Sequence, residues 1–147
     1  VFDYDLEALL FLSHEMEEDT LFELDNLSVI AGGKNIIPTA TVRLKIGKRT
    51  RTESGTGNGP VDAVFNCISR LTGFKFKLDN FVISAKGSGM NAQGQVDVDL
   101  VYEDRHYHGK ALSTDVIEAS ALALISACNS IYRARIIQEE KQEKENV

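Results

Sequence analysis

The chain has 147 residues, 43% of them hydrophobic, with two cysteines and a formal net charge of −6. That length supports one domain able to bury about two-thirds of its unfolded surface, and the composition excludes a disordered tail. An acidic balance with no clustered basic face argues against nucleic-acid binding, no apolar run approaches the roughly 20 residues that span a bilayer, and no leader-like segment opens the chain.

In chain order, Asp3 to Leu12 places acidic residues ahead of Leu6, Leu9, Leu10 and Leu12 at near-helical spacing, which predicts a short amphipathic helix. The acidic stretch Glu15 to Asp19 reads as a solvated connector. The start at Val1 without Met suggests a segment of a longer polypeptide, with 1–19 linking it to a preceding region. From Leu21 the pattern turns extended: Phe22, Leu24, Leu27, Val29 and Ile30 run to Gly32-Gly33. Pro38 to Ile46 then alternates Ala40, Val42, Leu44 and Ile46 with Thr39, Thr41, Arg43 and Lys45, the period of a half-buried strand. A turn at Gly47-Lys48 leads to a third strand, Arg49 to Glu53. The basic residues between Arg43 and Arg51 are the wet face of this hairpin.

Gly55-Thr56-Gly57-Asn58-Gly59-Pro60-Val61-Asp62-Ala63 carries the chain into a helix expected over Pro60 to Leu71, with Val61, Phe65, Ile68 and Leu71 on one stripe. Proline suits the first helical position, and the first-turn amides with the positive end of the helix dipole favour a small anion there. The alternative for this loop is a tight connection without a ligand.

The same order repeats. Phe22-Glu23-Leu24-Asp25-Asn26 is echoed by Phe76-Lys77-Leu78-Asp79-Asn80, and Val42, Leu44 and Ile46 by Val96, Val98 and Leu100. With two extra residues allowed in the second hairpin, Val61-Asp62-Ala63 falls on Ile117-Glu118-Ala119. The expected fold is therefore α+β: two pseudo-symmetric βββα units, about 21–72 and 75–135, packed together and completed as a homodimer. A second helix, Asp115 to Arg135, carries the small residues Ala119, Ser120, Ala121, Ala123, Ser126 and Ala127, which permit close approach. The domain is expected over 20–137, and 138–147 is expected to be a flexible charged tail.

No catalytic set and no metal set emerges. His106 and His108 share a strand face near Glu103 and Asp104 but lack a third convergent ligand, so an exposed hairpin edge is the better reading. Ser113 and Thr114 stand where a helix cap is expected. Asp62 and Glu118 fall in first turns, where acids favour the dipole. Cys67 and Cys128 lie in apolar helical patterns, as buried thiols of a reduced, cytoplasmic setting. Gly57-Asn58-Gly59 lacks the Lys-Ser/Thr ending of a nucleotide loop.

Three separated stretches resemble a known family: Gly57 to Ala63, Ala85-Lys86-Gly87-Ser88-Gly89 with Ala92-Gln93-Gly94-Gln95-Val96, and Gly109 through Ser113 to Ser120. Together they are similar to the C-terminal regulatory domain of the 2-isopropylmalate synthase family over about Leu21 to Arg135. The resemblance implies paired βββα units that bind leucine at a dimer interface and thereby inhibit a remote acyltransferase barrel, which holds a divalent metal and condenses acetyl-CoA with 2-oxoisovalerate. The fragment itself is expected to need no cofactor, and its partners to be a second copy and a branched-chain amino acid, with neither nucleic acid nor membrane. Citramalate synthase shares the domain and senses isoleucine, and dimerisation without an effector is a further alternative. Carried over by position, the effector would lie against Gly57, Asn58, Gly59, Pro60 and Val61, with Leu78, Phe81, Ala85, Asn91, Ala92 and Val116 completing the pocket. Phe81 stands where the family often has Tyr, and Met90-Asn91 replaces an acidic residue.

Overall fold

The computed structural model describes residues 20–87, 89 and 92–145. The expected helix and connector over 1–19 and the candidate site residue Asn91 therefore lie outside the described residues. The element order is β1 (Phe22–Ile30), β2 (Thr39–Ile46), β3 (Arg49–Thr56), α1 (Pro60–Thr72), β4 (Lys77–Lys86), β5 (Gln93–Tyr102), β6 (Arg105–Ser113) and α2 (Val116–Glu145). Strands β1-β2-β3 and β4-β5-β6 form two separate antiparallel sheets, each followed by a helix, as the repeat requires.

Why the two sheets are alike is visible in their ladders. Leu24 pairs with Leu44 and Leu78 with Leu100, and in each sheet the register then slips, so that Asn26 faces Arg43 and Asn80 faces Asp99. The echoed Leu-Asp-Asn is thus a β-bulge, and it turns a spacing of three into one face: Leu24 and Leu27 point inward, as do Leu78 and Phe81. These pairings also realign the repeat. Both hairpins, β2-β3 and β5-β6, close on two-residue turns, so the two extra residues belong to the β4-β5 connection rather than to the second hairpin. Val42 and Leu44 therefore correspond to Val98 and Leu100, and Ala40 to Val96. A slip of two leaves every side chain on its own face, which is why the sequence echo survived the misalignment.

The core is built from the inward rows of the middle strands, Ala40, Val42, Leu44 and Ile46 on β2 and Val96, Val98 and Leu100 on β5, all buried under the helices. Helix α1 contributes Val64, Phe65, Cys67, Ile68 and Leu71 and ends at Gly73, whose φ of 74° closes the left-handed C-cap on Ser69. Helix α2 lies so close to β6 that a Cβ at Gly109 would sit 2.0 Å from the Ala123 carbonyl oxygen. Ala123 and Ala127 make this contact, and with Ala119 and Ala121 they are fully buried within the chain. The helix also outruns its expected end: residues 138–145, read as a flexible tail, continue α2. Good helix formers with Glu140 four residues before Lys144 favour that continuation.

The units are tied at one end by Asn129 on α2. Its Oδ1 accepts the Leu21 and Phe22 amides at 3.1 and 2.9 Å, and its Nδ2 donates to the Phe22 carbonyl at 2.9 Å. The Phe22 ring meets Phe74 and Tyr132 edge-on, at 5.8 and 6.5 Å between centroids.

Candidate functional site

The glycine loop is held in place before any ligand is considered. Gly57 donates its amide to the Pro38 carbonyl at 3.1 Å, Asn66 Nδ2 donates to the Thr56 carbonyl at 3.0 Å, and the Asn58 amide donates to Asp62 Oδ2 at 2.8 Å. Gly57 cannot carry a side chain, because a Cβ there would lie 2.4 Å from the Ala63 nitrogen. Gly59 differs. It is the N-cap of α1 in an extended conformation, φ −158° and ψ 177°, which any residue adopts, and a Cβ there would meet nothing within 4 Å among the described residues. No positive φ requires glycine at this position; among the described residues it borders open space instead.

With glycine as N-cap and proline after it, no side chain among the described residues caps α1. Among the described residues the Val61 and Asp62 amides have no hydrogen-bond partner. These amides, together with a dipole worth roughly half a positive charge, make the helix start receptive to an anion.

Strand β4, which reaches α1 at Phe65, supplies apolar groups. Leu78, Phe81, Ile83 and Ala85 pair with Leu100, Val98, Val96 and Gly94 and so share the inner face of the second sheet. Phe81 meets Phe65 of α1 edge-on at 5.8 Å, which brings β4 beside the helix whose first turn carries Val61. Val116, the first residue of α2, overlies Gly94, where an added Cβ would lie 3.0 Å from Val116 Cγ2. Of the expected site residues, Phe81, Ala85 and Val116 thus belong to one apolar patch, and Leu78 lies further along the same row, 45% exposed. Ala92 is exposed in the β4-β5 connection and bonds the Gly89 carbonyl at 3.3 Å. Ile83, 49% exposed in the middle of that row, was missed by motif reading; the alternation of β4 after its bulge identifies it.

The repeat gives β1 and the start of α2 the matching arrangement. A cleft of about 420 Å³ is lined by Leu24, Asp25, Asn26 and Leu27 of β1 with Asp115 and Glu118 at the start of α2. These residues correspond to Leu78, Asp79, Asn80 and Phe81 with Gly59 and Asp62. Its chemistry is different, because Asp115 Oδ1 accepts the Ile117 and Glu118 amides at 2.9 and 3.3 Å. The cap is therefore Asp115 itself. Ser113, expected in that role, instead accepts the Asp115 amide and donates to Glu118 Oε2 at 2.9 Å.

His106 and His108 lie on the outer face of the second sheet. His108 sits between Asp99, 2.8 Å from Nδ1, and Asp97, 3.2 Å from Nε2, while His106 faces Asp79 at 3.9 Å. A hydrogen bond from Gln95 is the main cause of a lowered Asp97 pKa, with Lys110 and His108 adding to it against a burial effect of opposite sign. Among the described residues no group of His, Cys, Asp and Glu has the arrangement of a metal site. Both cysteines are buried free thiols, and burial pushes Cys128 up to about 12.

Comparison with known proteins follows this geometry. The LeuA allosteric (dimerisation) domain family matches residues 1–132. The chain is 58% identical over 141 residues to 2-isopropylmalate synthase of Campylobacter jejuni subsp. jejuni, covering 96% of this chain and 27% of that protein. It is 48% identical over 147 residues to the 2-isopropylmalate synthase of Erwinia tasmaniensis, covering 100% and 28%. The Aeromonas salmonicida protein of the same name is 49% identical over 142 residues, covering 97% and 27%. The chain thus spans just over a quarter of the length of these relatives. Among the described residues no helix is long and apolar enough to cross a membrane.

Proposed function

The chain belongs to the LeuA allosteric (dimerisation) domain family, and from that premise we propose that it binds leucine as feedback effector of a 2-isopropylmalate synthase and joins two copies of that enzyme. The observation that carries the effector reading is the uncapped start of α1, with open space at Gly59, beside the apolar row of β4. In this reading the ligand's α-carboxylate takes the free amides of Val61 and Asp62, and its branched side chain lies among Leu78, Phe81, Ala85 and Val116. The acetyl-CoA and 2-oxoisovalerate chemistry, with its divalent metal, belongs to the remainder of the longer protein. The names of the relatives favour leucine over the isoleucine sensed by citramalate synthases.

The dimer reading is supported by apolar groups that the chain leaves uncovered, Leu78 and Ile83 on β4 together with Ile30, Ile36 and Ile37 around the β1-β2 connection. The small-residue face of α2 does not support it, being occupied within the chain. Calorimetric titration of the 147-residue chain with leucine, isoleucine and valine tests the effector. Leucine is expected to bind most tightly, and the absence of heat with all three overturns the proposal. Analytical ultracentrifugation tests the assembly, which is refuted by a monomer at high micromolar concentration.

A further inference from the structure

We infer that Asn129 is a positioning residue that couples the effector groove to the polypeptide entering the fold at Leu21; this rests on the effector reading above. Asn129 is 6% exposed and uses both polar atoms of its side chain on one dipeptide: Oδ1 takes the Leu21 and Phe22 amides and Nδ2 the Phe22 carbonyl. The Leu21 carbonyl is taken in turn by the Gly47 amide at 3.0 Å. The start of β1 is thus gripped from α2 on one side and from the β2-β3 hairpin on the other.

In the first unit the corresponding link is covalent. Helix α1 ends at Gly73 and runs through Phe74 into β4, so the chain itself holds the strand to the helix. The start of β1 has no such connection to α2, and Asn129 supplies it with three hydrogen bonds. At its other end α2 begins with Val116, seated over Gly94 in the proposed groove. Thirteen residues of continuous helix, about 20 Å at 1.5 Å per residue, separate the two points. Ala119, Ala121, Ala123, Leu124, Ile125, Ala127 and Cys128 between them are buried, and close-packed interiors transmit strain instead of absorbing it. A displacement of α2 at Val116 on ligand binding is carried to Leu21 and so to the chain that precedes it.

The test has two arms. Hydrogen exchange in the unmodified 147-residue chain should show the Leu21 and Phe22 amides changing rate by about tenfold when leucine saturates, the scale of a typical allosteric coupling. In the full-length synthase carrying Asn129→Ala or Asn129→Asp, leucine should bind within about threefold of the unmodified protein while inhibition at saturating leucine falls by about half or more. Leucine binding with no change at Leu21 and Phe22 overturns the coupling, and this arm decides the matter even if both variants fail to fold. Full inhibition in a folded Asn129 variant overturns it as well. Should the unmodified chain bind none of leucine, isoleucine and valine, the titration marks the effector reading as the one that failed, and the coupling falls with it.

Discussion

At the start of α1 the Val61 and Asp62 amides have no partner among the described residues, whereas at the start of α2 the corresponding Ile117 and Glu118 amides are both held by Asp115. The surrounding scaffold is the same in both places: a bulged strand with an inward Leu, an Asp at the bulge and a helix entering from a three-stranded meander. One side chain at the N-cap separates them, glycine in one unit and aspartate in the other. A repeat can therefore retain its packing while the helix-start amides lack a partner among the described residues in one copy and are satisfied internally in the other. The second start is further closed to a carboxylate by the charges of Asp115 and Glu118 that line its cleft.

The units also differ in how closely helix meets sheet, and this difference has the largest expected effect. Gly109→Ala would put a methyl 2.0 Å from the Ala123 carbonyl and 2.7 Å from the Ala127 nitrogen, atoms of a helix backbone that cannot turn aside. We expect a loss of about 3 kcal/mol or more, read by chemical denaturation. Gly55→Ala in the first unit meets Arg70 Nη2, the end of a flexible side chain, and should lose under about 1 kcal/mol. Equal losses would mean that the helices sit at equal distances from their sheets.

Next comes the α1 start. Gly59→Val should leave the melting temperature within a few degrees, since the added atoms enter open space. Leucine affinity should nevertheless fall about a hundredfold, equivalent to about 2.7 kcal/mol, because those atoms occupy the space in front of the free amides. Unchanged affinity by calorimetry would remove the ligand from this turn.

Exchanging the caps sharpens the comparison further. Asp115→Ala should lose about 1 kcal/mol of stability and leave leucine binding at α1 intact. Gly59→Ser should gain a few tenths of a kcal/mol while weakening leucine, since the new hydroxyl competes for the same amides. A cap on α1 that leaves binding unchanged would count against the carboxylate assignment.

The smallest effect concerns the outer faces. The first sheet presents Thr41, Ser54, Arg43 and Thr52 in neutral or cationic hydrogen bonds, whereas the second presents His108 between Asp97 and Asp99. A carboxylate whose folded pKa is depressed stabilises the fold above its unfolded value, near 4, and loses that contribution as pH falls through the folded one. Asp97 should therefore weaken the fold only below about pH 4. Gln95→Ala, which removes the main cause of the shift, should flatten that part of the stability profile, measured by thermal melts across pH 2 to 6. A profile identical to that of the unmodified chain would show that the Gln95 hydrogen bond contributes nothing.

Much of the fold was legible because it is periodic. Alternation placed Ala40, Val42, Leu44 and Ile46 on a buried face, Pro60 marked the first residue of α1, and the repeat of Phe-x-Leu-Asp-Asn foretold two like sheets. The end of α2 was misjudged because charge suggests solvation, and a solvated helix of Glu, Lys and Gln is as charged as a frayed tail. In the candidate site, Gly57 and Gly59 looked alike on paper. One is excluded from bearing a side chain by the Ala63 backbone and the other faces open space, a distinction of neighbours and not of residue type.

What the residue order determined by itself is what local chemistry and period can encode: strand faces, the start of α1 at Pro60, and the existence of two equivalent units. What only the tertiary structure decided is which groups from distant segments meet. Asn129 reaches Leu21 and Phe22 across more than a hundred residues, Phe65 of the first unit meets Phe81 of the second, and Asp115 turns inward to close one helix start while the other stays open. Such contacts depend on how two sheets and two helices pack as bodies, through buried area and excluded volume summed over the whole core, and no window of sequence contains those sums.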